Sequence, residues 1–201
     1  ASERHMREVR VYFAPNVEVR LRRVELEDGA SVEVVEQPAS RLLCLGDSIT
    51  QGMDAMSPCS TYPVQLSRLL GAELLNQGVG GHVFDVDSLD PELGFEPDLV
   101  TVAYGTNDWG RGIGPSGVQR AARAYLQKLR EMFPVERTRI VVLSPIWRVV
   151  GHEEKGGVGL PEFGRMILET AKEIDGVETV DGLALVPNQP WYLQDGTHPN
   201  D

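Results

Sequence analysis

Residues 41–50 read RLLCLGDSIT, and the fold turns on them. Leu42, Leu43, Cys44 and Leu45 form a continuous apolar run, as expected of a strand buried on both faces of a parallel sheet. Gly46 and Asp47 break that run, and a polar stretch leads on to STYPVQLSRLLG (60–71). The latter predicts a helix, with Ser60 or Thr61 as cap and Gly71 closing it. Strand, loop, helix is the repeating unit of an α/β domain.

The same rhythm recurs downstream. AELLNQ (72–77), PDLVTVAYG (97–105), RIVVLSPI (139–146) and VETVDGLALV (177–186) supply further strands. PSGVQRAARAYLQKLREMFP (115–134) is the clearest helix: Val118, Ala121, Ala122, Tyr125, Leu126, Leu129, Met132 and Phe133 share one face, and Pro134 ends it. LPEFGRMILETAKEIDG (160–176) predicts another, with Phe163, Met166, Ile167, Ala171 and Ile174 inward. Strands alternating with helices predict a three-layer α/β fold with a mostly parallel sheet.

Residues 9–36 have a different period. VRVYF (9–13), VEVRLRRVEL (17–26) and SVEVVE (31–36) alternate apolar and polar residues as strands do. APN (14–16) and EDGA (27–30) between them are turn chemistry, with Gly29 suited to positive φ. Three short strands without a closing partner make no independent sheet. They are expected to be the C-terminal part of a β-rich accessory domain, residues 1–38, that continues before residue 1 or docks on a main domain at 39–201.

Composition narrows the function classes. A net charge of −11, with no basic run longer than Arg22–Arg23, argues against nucleic acid and acidic membrane surfaces as partners. Two cysteines, Cys44 in the apolar run and Cys59 in a polar loop, allow neither a disulfide framework nor a metal-ligand spacing. No run of about 18 apolar residues is present, so no transmembrane helix is expected. The first residues lack the apolar stretch of a signal peptide. A cytoplasmic location is therefore expected of the chain shown, with secretion left open.

In open α/β sheets the working site lies beyond the C-terminal strand ends. The loops there are polar and Gly-rich: GDSITQG (46–52), NQGVGG (76–81), GTNDWG (105–110), SPIWR (144–148) and DGTHP (195–199). Ser48, just past a buried strand, is placed to expose its hydroxyl. A serine hydroxyl needs a base to become a nucleophile, and His198 is the candidate, with Asp195 to hold its tautomer. Ser48 N–H, Gly81 N–H and the Asn107 amide are candidate donors to an oxyanion. Each has a structural alternative: a helix cap for Ser48, a tight turn for NQGVGG, an Asx-turn for Asn107. Asp47, His82, Trp109 and Trp147 are candidates to line the substrate pocket, although aromatics at strand ends more often pack. His152 sits in a Gly-rich charged loop that reads as a surface segment or a lid, and His5 as a solvated residue. Asp54 and Asp108 have no partner that the sequence identifies.

GDSIT, NQGVGG, GTND and DGTHP, in this order, resemble the blocks of the SGNH hydrolases, also called the GDSL esterase/lipase family, over about residues 41–201. The first block departs in having Ile–Thr where the family name has Leu. By position the resemblance implies Ser48 as nucleophile, His198 as base, Asp195 as third triad member, and Gly81 and Asn107 as oxyanion donors. It implies a flavodoxin-like sheet, ester hydrolysis, and no metal or cofactor. The N-terminal strands are similar to those of a subgroup carrying a β domain before the hydrolase domain. Several of its members act on acylated carbohydrates, which suggests O-acetyl groups on a glycan as substrate, by analogy. Family members also continue past the last block into a helix, which Pro199 suits as a first turn, so that final helix is expected beyond residue 201. The rival expectations are a thioesterase or lysophospholipase using the same triad, and a non-catalytic carbohydrate-binding module.

Overall fold

The computed structural model describes residues 6–14 and 17–200. Along the chain the regular elements are β1 (Ser40–Gly46), α1 (Ser48–Gln51), α2 (Tyr62–Leu70), β2 (Ala72–Gly78), β3 (Leu99–Ala103), α3 (Thr106–Gly110), α4 (Pro115–Met132), β4 (Arg139–Leu143), α5 (Leu160–Lys172) and β5 (Val177–Val180). The five strands form one sheet in the order β2-β1-β3-β4-β5, and every pairing is parallel. This is the flavodoxin-like order.

Strand pleating assigns the two faces. Leu43 and Leu45 of β1, Val100 and Val102 of β3, and Ile140 and Val142 of β4 pack with Val118, Leu126 and Leu129 of α4 and Phe163 and Ile167 of α5. Their neighbours Leu42 and Cys44, with Ala72 of β2, point the other way and meet Leu66 of α2. The sheet is covered on both sides, which is why β1 carries no polar alternation. The face predicted for residues 115–134 is the buried one: Val118, Ala122, Tyr125, Leu126, Leu129 and Phe133 are inside. Cys44 and Cys59 are both free thiols.

The strand order reverses at β1, whose neighbours β2 and β3 carry the chain to opposite edges of the sheet. A crevice opens at such a switch point, beyond the C-terminal ends of the adjacent strands. Two glycines bring α1 tightly over it. A Cβ on Gly46 would stand 2.0 Å from Thr50 Oγ1, and one on Gly78 would stand 2.1 Å from the Gln51 nitrogen.

Residues 9–36 depart from the expectation. Among the described residues no ladder forms there, and Val9, Val11, Val17, Leu21, Val24, Val32 and Val34 are exposed. Alternation records which side of a strand would be apolar, but a strand exists only with a hydrogen-bonding partner, and none lies alongside. The segment does touch the main domain, where the Tyr12 hydroxyl accepts from Arg68 Nε at 3.3 Å and its ring lies under the same guanidinium. Gly29 has the expected positive φ of 78°, in a turn closed by Ala30 N–H to Glu27 O. The turn expected at 14–16 and His5 fall outside the described residues.

Candidate active site

Local structure fixes the serine first. Asp47, in extended conformation, is the N-cap of α1, and its Oδ1 accepts from Ile49 N–H at 3.0 Å. Ser48 is thus the first residue of a one-turn helix rather than part of an open loop. Its backbone N–H is among those a helix start leaves without an intrahelical acceptor. Asn76 ties this turn to the sheet, donating to Thr50 O and accepting from Gly78 N–H.

At the other end of the chain the DGTHP loop closes on itself. Gln194 N–H donates to His198 O at 2.8 Å, and Asp195 Oδ1 accepts the N–H groups of Thr197 and His198, both at 2.9 Å. Val149 N–H donates to Gly196 O and anchors the loop to the segment after β4. So held, His198 stands 2.7 Å by Nε2 from Ser48 Oγ and 2.8 Å by Nδ1 from Asp195 Oδ2. Partial burial works against ionisation of Asp195, but the His198 N–H, the His198 ring and the Thr197 N–H together hold its carboxyl below the usual range.

Gly81 has φ 77°, in the left-handed region that favours glycine, and its carbonyl accepts from Arg111 Nη2 at 2.7 Å. Asn107 is the second residue of α3, a turn capped by Gly105 at φ 116°. The Asn107 amide donates to His82 O at 3.0 Å, so α3 and the NQGVGG loop are joined beside the crevice.

The pocket candidates divide. Trp109 is fully buried, with its indole N–H on Val158 O at 3.0 Å and both Arg148 and Lys155 over its ring. It is a core residue: the GTNDWG block is helical, and that turn swings Trp109 inward, away from any substrate. Trp147 is half-buried and Trp191 exposed. His82 is half-buried against the Tyr104 ring, with its Nδ1 buried and without a hydrogen-bond partner among the described residues. Asp47 is 2% exposed and committed to its cap. Burial pushes its carboxyl up to about 7, against the pull of Ile49 N–H, His198 and Arg148. His152 lies on the surface, its Nδ1 3.2 Å from Val149 O.

Three groups near the site carried no sequence signal. Asp108 is fully buried, accepts from Phe84 N–H at 3.3 Å, and is raised by burial. Arg148, whose guanidinium is lowered by burial and raised by Asp195 and Asp47, donates to Thr106. Asp54 Oδ2 lies 3.6 Å from His198 Nδ1. Although ligand-type atoms of Asp54, Asp195 and His198 fall within 4.8 Å of one another, both His198 ring nitrogens face hydrogen-bond partners.

With the geometry in place, comparison with known proteins is informative. The sequence pattern described as the GDSL-like lipase/acylhydrolase family matches residues 44–201. An acetylxylan esterase of Xylanibacter ruminicola is 26% identical over 208 residues, covering 85% of this chain and 42% of that protein. The chain therefore spans less than half the length of this curated relative. Among solved structures, a carbohydrate esterase family 2 enzyme with its carbohydrate-binding domain, from Corynascus thermopiles (Myceliophthora fergusii), aligns with TM-score 0.66 at 20% identity, over 86% of this chain and 64% of that one. The salicylyl-acyltransferase SsfX3 from a tetracycline biosynthetic pathway aligns with TM-score 0.64 at 23% identity, over 84% and 51%. These structures share the fold.

Proposed function

The chain belongs to the GDSL-like lipase/acylhydrolase family, and from that premise we propose that it is a serine esterase that removes small acyl groups, with O-acetyl groups on a carbohydrate as substrate. The observation that carries this reading is the unbroken relay of two hydrogen bonds, Ser48 Oγ to His198 Nε2 at 2.7 Å and His198 Nδ1 to Asp195 Oδ2 at 2.8 Å. In this tautomer Nδ1–H donates to Asp195, and Nε2 is free to take the serine proton.

Ser48 Oγ attacks the ester carbonyl as His198 takes its proton. The oxyanion is received by Ser48 N–H, Gly81 N–H and the Asn107 amide. The imidazolium then protonates the leaving alkoxide, and water, deprotonated by the same base, releases the acid from the acyl-serine. An apolar cavity of about 410 Å³ beside α1 is lined by Asp47, Ile49, Leu66, Tyr104, Thr106 and Pro199, among them the chain neighbours of Ser48, Asn107 and His198. The preference between acetyl and longer acyl esters is what separates this reading from a thioesterase or lysophospholipase with the same triad. The carbohydrate alcohol is supported by the likeness to the Xylanibacter ruminicola acetylxylan esterase.

The test is acetate release from p-nitrophenyl acetate and from acetylated xylooligosaccharides by the chain and by Ser48→Ala, with folding matched by circular dichroism. Turnover lost in the variant, and acetyl esters preferred over octanoyl, is the expected result. Equal turnover in Ser48→Ala would mark the release as non-specific background and sink the reading, and glycan binding with no acid release above that background would favour a glycan-binding module.

A further inference from the structure

Just past α1 the backbone does something that only one non-glycine residue does among those described: Asp54 adopts φ 66°, in the left-handed region. Cβ crowding disfavours that conformation for an L-residue, and aspartate tolerates it better than most. The conformation turns the Asp54 side chain toward the far end of the chain. Its Oδ2 lies 3.6 Å from His198 Nδ1, the nitrogen that Asp195 Oδ2 already meets at 2.8 Å. Two carboxylates from opposite ends of the sequence thus converge on one imidazole nitrogen. They differ in their other commitments, since Asp195 Oδ1 is occupied by two backbone N–H groups of its own loop.

We propose that Asp54 is a positioning residue for His198, acting through charge on the imidazolium formed when Ser48 is deprotonated and holding Nδ1–H when Asp195 is lost. The inference rests on the serine-esterase reading given above. At 2.8 Å Asp195 takes the hydrogen bond; at 3.6 Å Asp54 acts mainly by its field. The charged and titratable groups around His198 are Asp195 from its own loop, Asp47 and Ser48 from the start of α1, and Asp54 from the turn after it, while Arg148, from the segment after β4, acts on Asp195 and Asp47. A carboxylate beside an imidazole favours its protonated form. Removing Asp54 therefore moves the acid limb of kcat/KM to lower pH. The Asp54 side chain is 35% exposed, so water screens part of this field.

The experiment measures kcat/KM for p-nitrophenyl acetate from pH 4.5 to 9, with Tm alongside, for the chain and for Ser48→Ala, Asp54→Asn, Asp54→Gly, Asp195→Asn and the Asp54→Asn/Asp195→Asn double variant. Asp54→Asn keeps the shape and a residue at home in left-handed backbone, while Asp54→Gly relaxes that backbone, so a folding defect in one is checked by the other. Expected are a lowered acid limb in both Asp54 variants and a roughly threefold loss in Asp54→Asn. The double variant should lose at least about tenfold more than Asp195→Asn alone, a departure from independence. A merely structural role would change Tm and leave the limb in place. If the limb of Asp54→Asn stays within 0.2 pH unit of the parent, or the double loss equals the product of the single losses, the inference is overturned. Ser48→Ala separates the two levels: full turnover in it sinks the esterase reading, whereas an inactive Ser48→Ala with an unmoved Asp54→Asn limb sinks this inference alone.

Discussion

Replacing Asp47 by Asn makes the protein more stable, and increasingly so as pH rises. Asp47 is 2% exposed, and burial lifts its carboxyl from the ordinary 3.8 to about 7. The folded protein therefore retains a proton across a window in which the unfolded chain has released it. A group of this kind favours unfolding progressively from pH 4 upward, and the effect is complete once pH passes about 7. With each pK unit worth about 1.4 kcal/mol, the disadvantage is about 2 kcal/mol at pH 5 and about 4 kcal/mol at pH 8. Asn carries no such charge, and its side-chain oxygen still accepts the Ile49 N–H that Asp47 Oδ1 now holds at 3.0 Å, so the cap of α1 survives.

The assay is urea unfolding of parent and variant at pH 5, 6.5 and 8. Most other titrating groups contribute equally to both proteins and cancel in the difference. His198, Asp108 and Arg148 do not cancel fully, because they couple to Asp47. The expected result is a variant advantage growing by about 2 kcal/mol from pH 5 to pH 8, or on the order of 5 °C in Tm for a chain of this size. A pH-independent difference, or a parent more stable at pH 8, would refute the burial argument. The same variant loses a negative charge coupled to His198, so stability and turnover should move in opposite directions.

Two further outcomes follow from the geometry. Asn107→Ala should lower kcat about 10²- to 10³-fold on p-nitrophenyl acetate by removing one oxyanion donor, and a kcat within twofold of the parent would remove Asn107 from that role. Trp109→Ala should destabilise by about 3–5 kcal/mol in urea, as a fully buried side chain does, while Trp191→Ala, at 68% exposure, should stay within about 0.5 kcal/mol; equal midpoints for the two would contradict the burial described.

What could be read from the chain was whatever strong local chemistry fixes. LLCLG (42–46) is buried on both faces, and a run without polar alternation says so directly. The 3.6-residue spacing of Val118 to Phe133 marked the buried face of α4 for the same reason. One-turn helices leave no such trace: SITQ and TNDWG are too short for periodicity, so their blocks read as loops, and nothing in the chain says which way Trp109 faces. Residues 9–36 are a different case, because their alternation presupposes a neighbouring strand and among the described residues none pairs with them. Asp54 was invisible for a third reason. Positive φ in a non-glycine residue has no sequence signature, and its partner lies at the far end of the chain.

The charges around His198 follow from the same topology. The switch point at β1 gathers the ends of strands that are remote in sequence, and in a chain of net charge −11 those ends bring carboxylates. Asp195 lies 2.8 Å and Asp54 3.6 Å from the imidazole Nδ1, Asp47 is coupled to the ring, and Arg148 is the cation beside Asp195 and Asp47. An imidazole held too firmly in its charged form accepts no proton, whereas one without a carboxylate cannot support the imidazolium it must become. The balance is set by depth. Asp195 is exposed enough and hydrogen-bonded enough to stay ionised, while Asp47 is buried deeply enough to be only partly charged near neutral pH. Asp54, a third exposed, is screened by water. Burial thus grades three chemically identical side chains into one strong partner and two weaker ones around a single base.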